Sequence, residues 1–314
     1  MPAGMAGRIR DRTLRSWLSK GQLQYARPSR EILHAVLDII GHSTGTDGLA
    51  ALRFWGQTSE RCGSWIVAAD PVHLEARLDH LCLHALRGAQ SDIADVGAIF
   101  DYLQTIFGSD DFAFATLGQH AYLRSDSEIA SAEISSWVIS GSPPDEFMPQ
   151  GPAAYAHHRL VSEVQMALHD HEINASRERR GLGAVNSIWL WGGGHAPEVS
   201  VEPILPLFAN DPLFRGFWLS RTGLAEPWTD DFDACVALAE KGFVAVTPDG
   251  RDQVHQENGD SESPDDYLRA LRRLQKRNKL GHLTLLFRDG LRADIRSSDR
   301  FRLWRGESSL LAPS

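Results

Sequence analysis

Residues 185–194 read "VNSIWLWGGG". The segment opens on an asparagine, continues as a short apolar run with two tryptophans, and ends on three consecutive glycines. Trp189 and Trp191 stand two apart, so on a strand they share one face, with Leu190 on the other. Paired tryptophans of this kind are core residues in the first instance. The glycines have two readings. They make a tight turn or admit a neighbouring backbone, or their N–H groups form a nest for an anion. No helix start follows, because "HAPEVSVEP" carries two prolines, so the segment is neither a P-loop nor a dinucleotide fingerprint.

The elements around this strand set the expected fold. Downstream, "FRGFWLS" (214–220) and "GFVAVT" (242–247) read as strands with an apolar helix around "ACVALAE" between them. That is a β-α-β rhythm, which points to a parallel sheet. Upstream, "AAYAHHRLVSEVQMALHDH" is a long helix. "SREILHAVLDIIGH" (29–42) and "SDIADVGAIFDYLQTIF" (91–107) have helical spacing, with Ser29 and then Ser91 or Asp92 available as caps. "WIVAA" is a short strand stopped by Asp70-Pro71, "LDHLCLHAL" a second strand, and "FAFAT" and "HAYLR" a hairpin about Gly118. Asp289-Gly290 marks a further hairpin in residues 282–297.

The expectation is therefore an α/β fold: a mixed, partly parallel sheet flanked by helices, with a smaller α+β N-terminal portion. By residue, 1–28 form an N-terminal segment with a loosely ordered or helical start, preferred to a transit peptide. Residues 29–139 form the α+β portion. The Pro- and Gly-rich 140–152 form a linker or long loop, and 153–314 the α/β portion with the glycine-rich strand end.

Composition narrows the function classes. The chain has 314 residues, is 42% hydrophobic and holds nine tryptophans, so a sizeable core is available. A net charge of -9 argues against a general nucleic-acid binder. The three cysteines, Cys62, Cys82 and Cys235, form no CxxC pair and read as reduced thiols. No apolar run reaches the length of a membrane span, and a cytoplasmic location is expected. The stretch "DQVHQENGDSESPDD" (252–266) reads as an acidic exposed loop. The helix over 266–281, with Arg269, Arg272, Arg273, Lys276, Arg277 and Lys279, reads as a solvated face; a protein partner suits it better than nucleic acid.

The glycine strand is joined to "DHEINASRERRGLGAVN". Asn174, Arg177, Gly181, Asn186, Gly192 and Gly194 together resemble a motif of the archaeal and bacterial cofactor-independent phosphoglycerate mutases, within the alkaline phosphatase superfamily. The proline usual before the second asparagine is Ala184 here. A resemblance over more of the chain, carried by "ADPVHLEARLDHLCL", "EVQMALHDHEINASRERRG", "VNSIWLWGGG" and the closing "LTLLFRDG...FRLW", is to bacterial RpfE-type regulatory proteins.

The mutase resemblance implies two metal ions and a phosphoryl-carrying nucleophile. "TDGLA" (46–50) mimics the first metal element, but "GHSTG" before it is no buried strand. "TPDGRD" (247–252) follows a strand but sits late. His169 and His171 are on different helix faces, and so are the adjacent His157 and His158. The expected function is accordingly a phosphoglycerate mutase-like protein that is catalytically incomplete and regulatory, with no cofactor and with a small anionic metabolite as candidate ligand. The alternatives are an active metal-dependent mutase or phosphatase, with divalent metal as its cofactor, and an interaction protein without a ligand.

The anion would sit between Arg177 and the backbone of Gly192, Gly193 and Gly194. Arg177 would supply a planar fork for phosphate or carboxylate, with Asn174 and Asn186 alongside. The bland reading of both asparagines is that they cap a helix end and pin the turn. For Arg177 it is a salt bridge to Glu172 or Asp170.

Overall fold

The computed structural model describes residues 9–86, 92–239, 241–248, 264–302 and 304–311. Ser91 and most of the acidic stretch 252–266 lie outside the described residues, as do 1–8.

In chain order the elements are α1 (Arg12–Lys20), β1 (Gln22–Tyr25), α2 (Ile32–Ile40), α3 (Leu49–Thr58), β2 (Trp65–Ala76), β3 (Leu81–Ala85) and α4 (Ile93–Phe107). They continue with β4 (Phe112–Leu117), β5 (His120–Ser125), α5 (Ser136–Ile139), α6 (Ala154–Leu168), α7 (Glu172–Arg179) and β6 (Ser187–Gly194). The last are β7 (Leu207–Ala209), α8 (Pro212–Ser220), β8 (Ala225–Glu226), α9 (Phe232–Leu238), β9 (Val244–Val246), α10 (Pro264–Lys276), β10 (His282–Leu286) and β11 (Leu291–Arg296). The chain is a mixed α/β protein with sheets flanked by helices, as expected from the sequence, and among the described residues it forms two antiparallel sheets and one parallel sheet.

The main sheet has strand order β3-β2-β5-β4, and β6 also pairs with β2. Strand β2 is its axis and runs through Asp70-Pro71 instead of stopping there. A proline has no N–H to give to a ladder. It is tolerated because β2 changes partner at this point: residues 65–68 pair with β5 and residues 72–76 with β3. Alternation along β2 then separates two cores. Ile66, Ala68 and Val72 face α2, α3 and α8, together with Trp189 and Trp191. Val67 and Ala69 face α4 and α6, together with Ile188 and Leu190. The two tryptophans are thus core residues on one face, 3% and 2% exposed.

Two expectations are corrected. First, "FRGFWLS" is helical, within α8. Asp211 caps it by accepting from the Leu213 and Phe214 amides, and Pro212 occupies the first turn. Second, β6 is not in the parallel sheet. It lies antiparallel to β2, while the parallel sheet is β8-β7-β9. The hairpins at Gly118 and at Asp289-Gly290 form, Gly290 taking a φ of 96°. A third sheet, β1-β11-β10, packs with α1 and α10 around Leu14, Leu18, Leu271 and Leu274. "TDGLA" leads into α3, with Gly48 at its N-cap. Between α5 and α6, Ser142 exchanges backbone contact with Leu83, and Asp145–Phe147 form a 3-10 turn.

Helices α3 and α8 cross at a pair of glycines. A Cβ on Gly56 would stand 1.9 Å from the Pro212 carbonyl oxygen, and one on Gly216 would stand 1.8 Å from that of Leu52. Helix propensity alone would make Gly216→Ala stabilising by about 1 kcal/mol. Here the clash is with backbone, which cannot rotate away, so the crossing must open. Gly216→Ala is expected to lower stability by about 3 kcal/mol, the upper end of ordinary overpacking. The sign of the shift in a urea unfolding midpoint decides between the two.

Candidate functional site

The glycine-rich end of β6 is a bulge. Ala68 pairs with Trp191 and Ile66 with Gly194, so three steps on β6 face two on β2. The extra residue needs a left-handed backbone, and Gly192 supplies it with a φ of 61°. The start of α3 then lies directly on the strand. A Cβ on Gly194 would fall 2.4 Å from the Gly48 nitrogen, and the Gly48 N–H donates to the Gly193 carbonyl at 3.0 Å. The Gly192 N–H donates to the Ala132 carbonyl at 2.8 Å, and the Gly193 N–H to Ser131 Oγ at 2.9 Å. These donors are directed at the protein's own backbone and at one serine.

The six residues expected to surround an anion are therefore not gathered at one point. Arg177 is fully buried near the other end of β6. Its Nε donates to the Gly183 carbonyl at 2.9 Å, and its Nη1 pairs with Asp95 at 2.8 Å. The six steps from Ser187 to Gly193 span about 20 Å of strand, so no small anion spans the Arg177 guanidinium and the Gly193 amide. Among the described residues Arg177 pairs with Asp95, in the first turn of α4, where a carboxylate also meets the helix dipole, and with neither Glu172 nor Asp170. Arg180 joins Asp92 at 3.0 Å and also Asp95.

The asparagines take structural roles. Asn174 Nδ2 donates to the Leu168 and Val185 carbonyls, and its Oδ1 accepts from the Val185 amide. Asn186 imitates a strand residue, bonding both the amide and the carbonyl of Leu74. Gly181, with a φ of 73°, closes α7 as the Leu182 amide turns back to the Arg177 carbonyl.

The charged cluster in the interior lies beneath Trp191. Asp70, 6% exposed, projects from the axis of β2. Its Oδ1 accepts from Arg53 Nη1 at 3.2 Å. Its Oδ2 accepts from Trp191 Nε1 at 2.8 Å and from Ser136 Oγ at 2.9 Å. Arg53, 4% exposed, comes from α3. Its Nε donates to the Tyr122 hydroxyl and its Nη2 to the Ala121 carbonyl, both at 3.1 Å. Its guanidinium also lies 4.7 Å from the Tyr122 ring centre and 5.1 Å from that of Trp191. The Tyr122 hydroxyl donates to Gln57 Oε1, and Gln57 Nε2 donates to the Leu117 carbonyl. Strands β2, β5 and β6 and helices α3 and α5 all contribute, and each oxygen of Asp70 has a donor.

The electrostatics follow from burial. Burial works against the Arg53 charge, but Tyr122 and Asp70 outweigh it and hold its pKa above the ordinary range. Burial raises the Tyr122 phenol, with Arg53 opposing. Burial, and then the Arg53 charge, push His120 down to about 3, so its imidazole is neutral at physiological pH. Nearby Glu31 is raised by burial, against the Ser135 amide that donates to it at 2.8 Å, and Asp70 and Asp211 add to the rise. Chemically this is a closed network that fixes one carboxylate as an acceptor.

Of this cluster the sequence points only to Trp191, as a core residue. Asp70-Pro71 read as a stop signal. Its trace was the apolar alternation Ile66, Ala68, Val72, Leu74, which continues across Asp70, and the lone arginine inside "LAALRFWG". Among the described residues, no group of three or more His, Cys, Asp or Glu side chains is placed to hold a metal ion, and no helix is long and apolar enough to cross a membrane. The three cysteines are free thiols, with Cys82 and Cys235 buried.

No family model matches the chain. It is 29% identical over 131 residues to a protein named "Probable 2,3-bisphosphoglycerate-independent phosphoglycerate mutase" from Geobacter sulfurreducens, covering 41% of this chain and 33% of that one. It is 33% identical over 60 residues to the 2,3-bisphosphoglycerate-independent phosphoglycerate mutase of Methanosarcina mazei, covering 19% and 15%. The chain thus spans a third or less of the length of these curated relatives. The solved cofactor-independent phosphoglycerate mutase of Thermoplasma acidophilum superposes over 99% of this chain and 89% of its own, at 13% identity and a TM-score of 0.43. The chain is distantly similar to cofactor-independent phosphoglycerate mutases.

Proposed function

We propose that this chain is a non-catalytic, regulatory relative of the cofactor-independent phosphoglycerate mutases, of the RpfE type, that works without a cofactor in the cytoplasm and responds to a small anionic metabolite. One observation carries the non-catalytic part. Asn174, Arg177 and Asn186, which bear the mutase resemblance, bond to the protein's own backbone and to Asp95. A catalytic donor must instead point at the position where charge develops on the substrate. The regulatory role is supported by the RpfE-type resemblance, which runs through four separate stretches of the chain.

The experiment is a mutase assay on the full chain. Purified protein supplied with manganese, zinc or cobalt is expected to convert 3-phosphoglycerate to 2-phosphoglycerate no faster than the metal-only blank. Turnover well above that blank would return the chain to the metal-dependent mutases and abandon the non-catalytic reading.

A further inference from the structure

Helix α10 turns Leu268, Leu271 and Leu274 into the core it shares with α1 and β11. The other side carries Arg269, Arg272, Arg273, Lys276 and Arg277, at the three- and four-residue steps that put side chains on one face. These five side chains line a shallow groove of about 330 Å³. Arg269 is occupied, with Asp11, Asp265 and Asp266 within 4.0 Å of it. Among the described residues, Arg273, Lys276 and Arg277 have no ion-pair partner, and the buried Nε of Arg272 has no hydrogen-bond partner. Arg272 and Lys276 are like charges four residues apart, as are Arg273 and Arg277, and such pairs repel. The sequence tolerates both within a chain of net charge -9.

We propose that this groove binds a small molecule bearing two anionic groups, phosphates or a phosphate and a carboxylate, about one helical turn (~5.4 Å) apart. The inference rests on the anionic-effector reading above and moves the site from the glycine strand to α10. The cations form two rows, Arg272 with Arg273 and, one turn on, Lys276 with Arg277. Each row offers one anion two positive charges, and the arginines add a planar fork. The volume is at the lower end for small-molecule sites. A long polyanion fits poorly, because in the neighbouring hollow along the helix four aspartates, Asp230, Asp231, Asp233 and Asp266, face two arginines, Arg269 and Arg273.

The test uses the full chain, tripolyphosphate as probe and calorimetry at about 0.15 M salt, where unspecific attraction beyond the ~8 Å Debye length is screened. One site is expected, with inorganic phosphate binding at least tenfold more weakly. The double variant Arg273→Gln/Lys276→Gln is expected to lose at least tenfold in affinity with an unchanged thermal midpoint, since both side chains are exposed. Arg159→Gln, an exposed cation on α6, is expected to bind like the parent. Equal affinity in parent and double variant would overturn the α10 site and leave the effector reading standing. No binding by the parent would overturn both. Much tighter binding of long-chain polyphosphate or RNA would overturn the small-molecule site in favour of a polyanion surface.

Discussion

Asp70→Ala is expected to lower the unfolding free energy by about 3–5 kcal/mol, the usual cost of removing one partner from a buried ion pair. The reason is what stays behind. Arg53 is 4% exposed, and without Asp70 its charge keeps only a phenol and a carbonyl as acceptors. Trp191 Nε1 and Ser136 Oγ lose their acceptor in the same step. Desolvation, not the attraction between the two charges, dominates this cost. Removing both charges should therefore cost far less than the sum of the single losses. Arg53→Met/Asp70→Leu replaces the pair by apolar groups of similar size, and such replacements are often close to neutral. Urea unfolding of the two single variants and the double variant gives the coupling directly. An unchanged midpoint for Asp70→Ala would mean that water reaches the cluster and that it is no part of the core.

Trp191→Ala should be nearly as damaging, at about 3–5 kcal/mol for a large buried aromatic. Two contributions can be separated. The ring is 2% exposed and lies 5.1 Å from the Arg53 guanidinium of α3; its indole N–H is also one of the three donors to Asp70. Trp191→Phe keeps a buried aromatic ring but loses that donor and part of the indole's volume; the lost donor costs about 1–3 kcal/mol when the acceptor stays buried. The ordering Ala worse than Phe, and Phe worse than the parent, is the expected result. If Trp191→Ala and Trp189→Ala both unfold at the parental urea concentration, the paired tryptophans are not core and a ligand or partner role returns.

Much of the local structure was legible. Helices α2, α4 and α6 follow from apolar residues at helical spacing, and the two hairpins follow from Gly118 and Asp289-Gly290. The helix at 212–220 was misread because a seven-residue apolar run has no decisive period. The deciding signal lay just before it, in Asp211-Pro212, a cap followed by a proline at the first helical position. The charged cluster was harder to see. Arg53, Asp70, Tyr122, Ser136 and Trp191 are spread over 139 positions of chain, and nothing in any one segment says that they meet.

The glycine strand divides the two kinds of information. Sequence alone determined that Trp189 and Trp191 share a face and that the three glycines permit a backbone other residues resist, because side-chain alternation and allowed φ angles are properties of the local chain. Only the tertiary structure decided what those permissions are used for. β2 and not a parallel neighbour pairs with β6, Gly192 makes a bulge, and the start of α3 rests on Gly194. Arg177 turns to Asp95, 82 residues earlier, and away from the glycines. Pairing and burial are contests among all surfaces of the molecule, and a segment carries only one side of each.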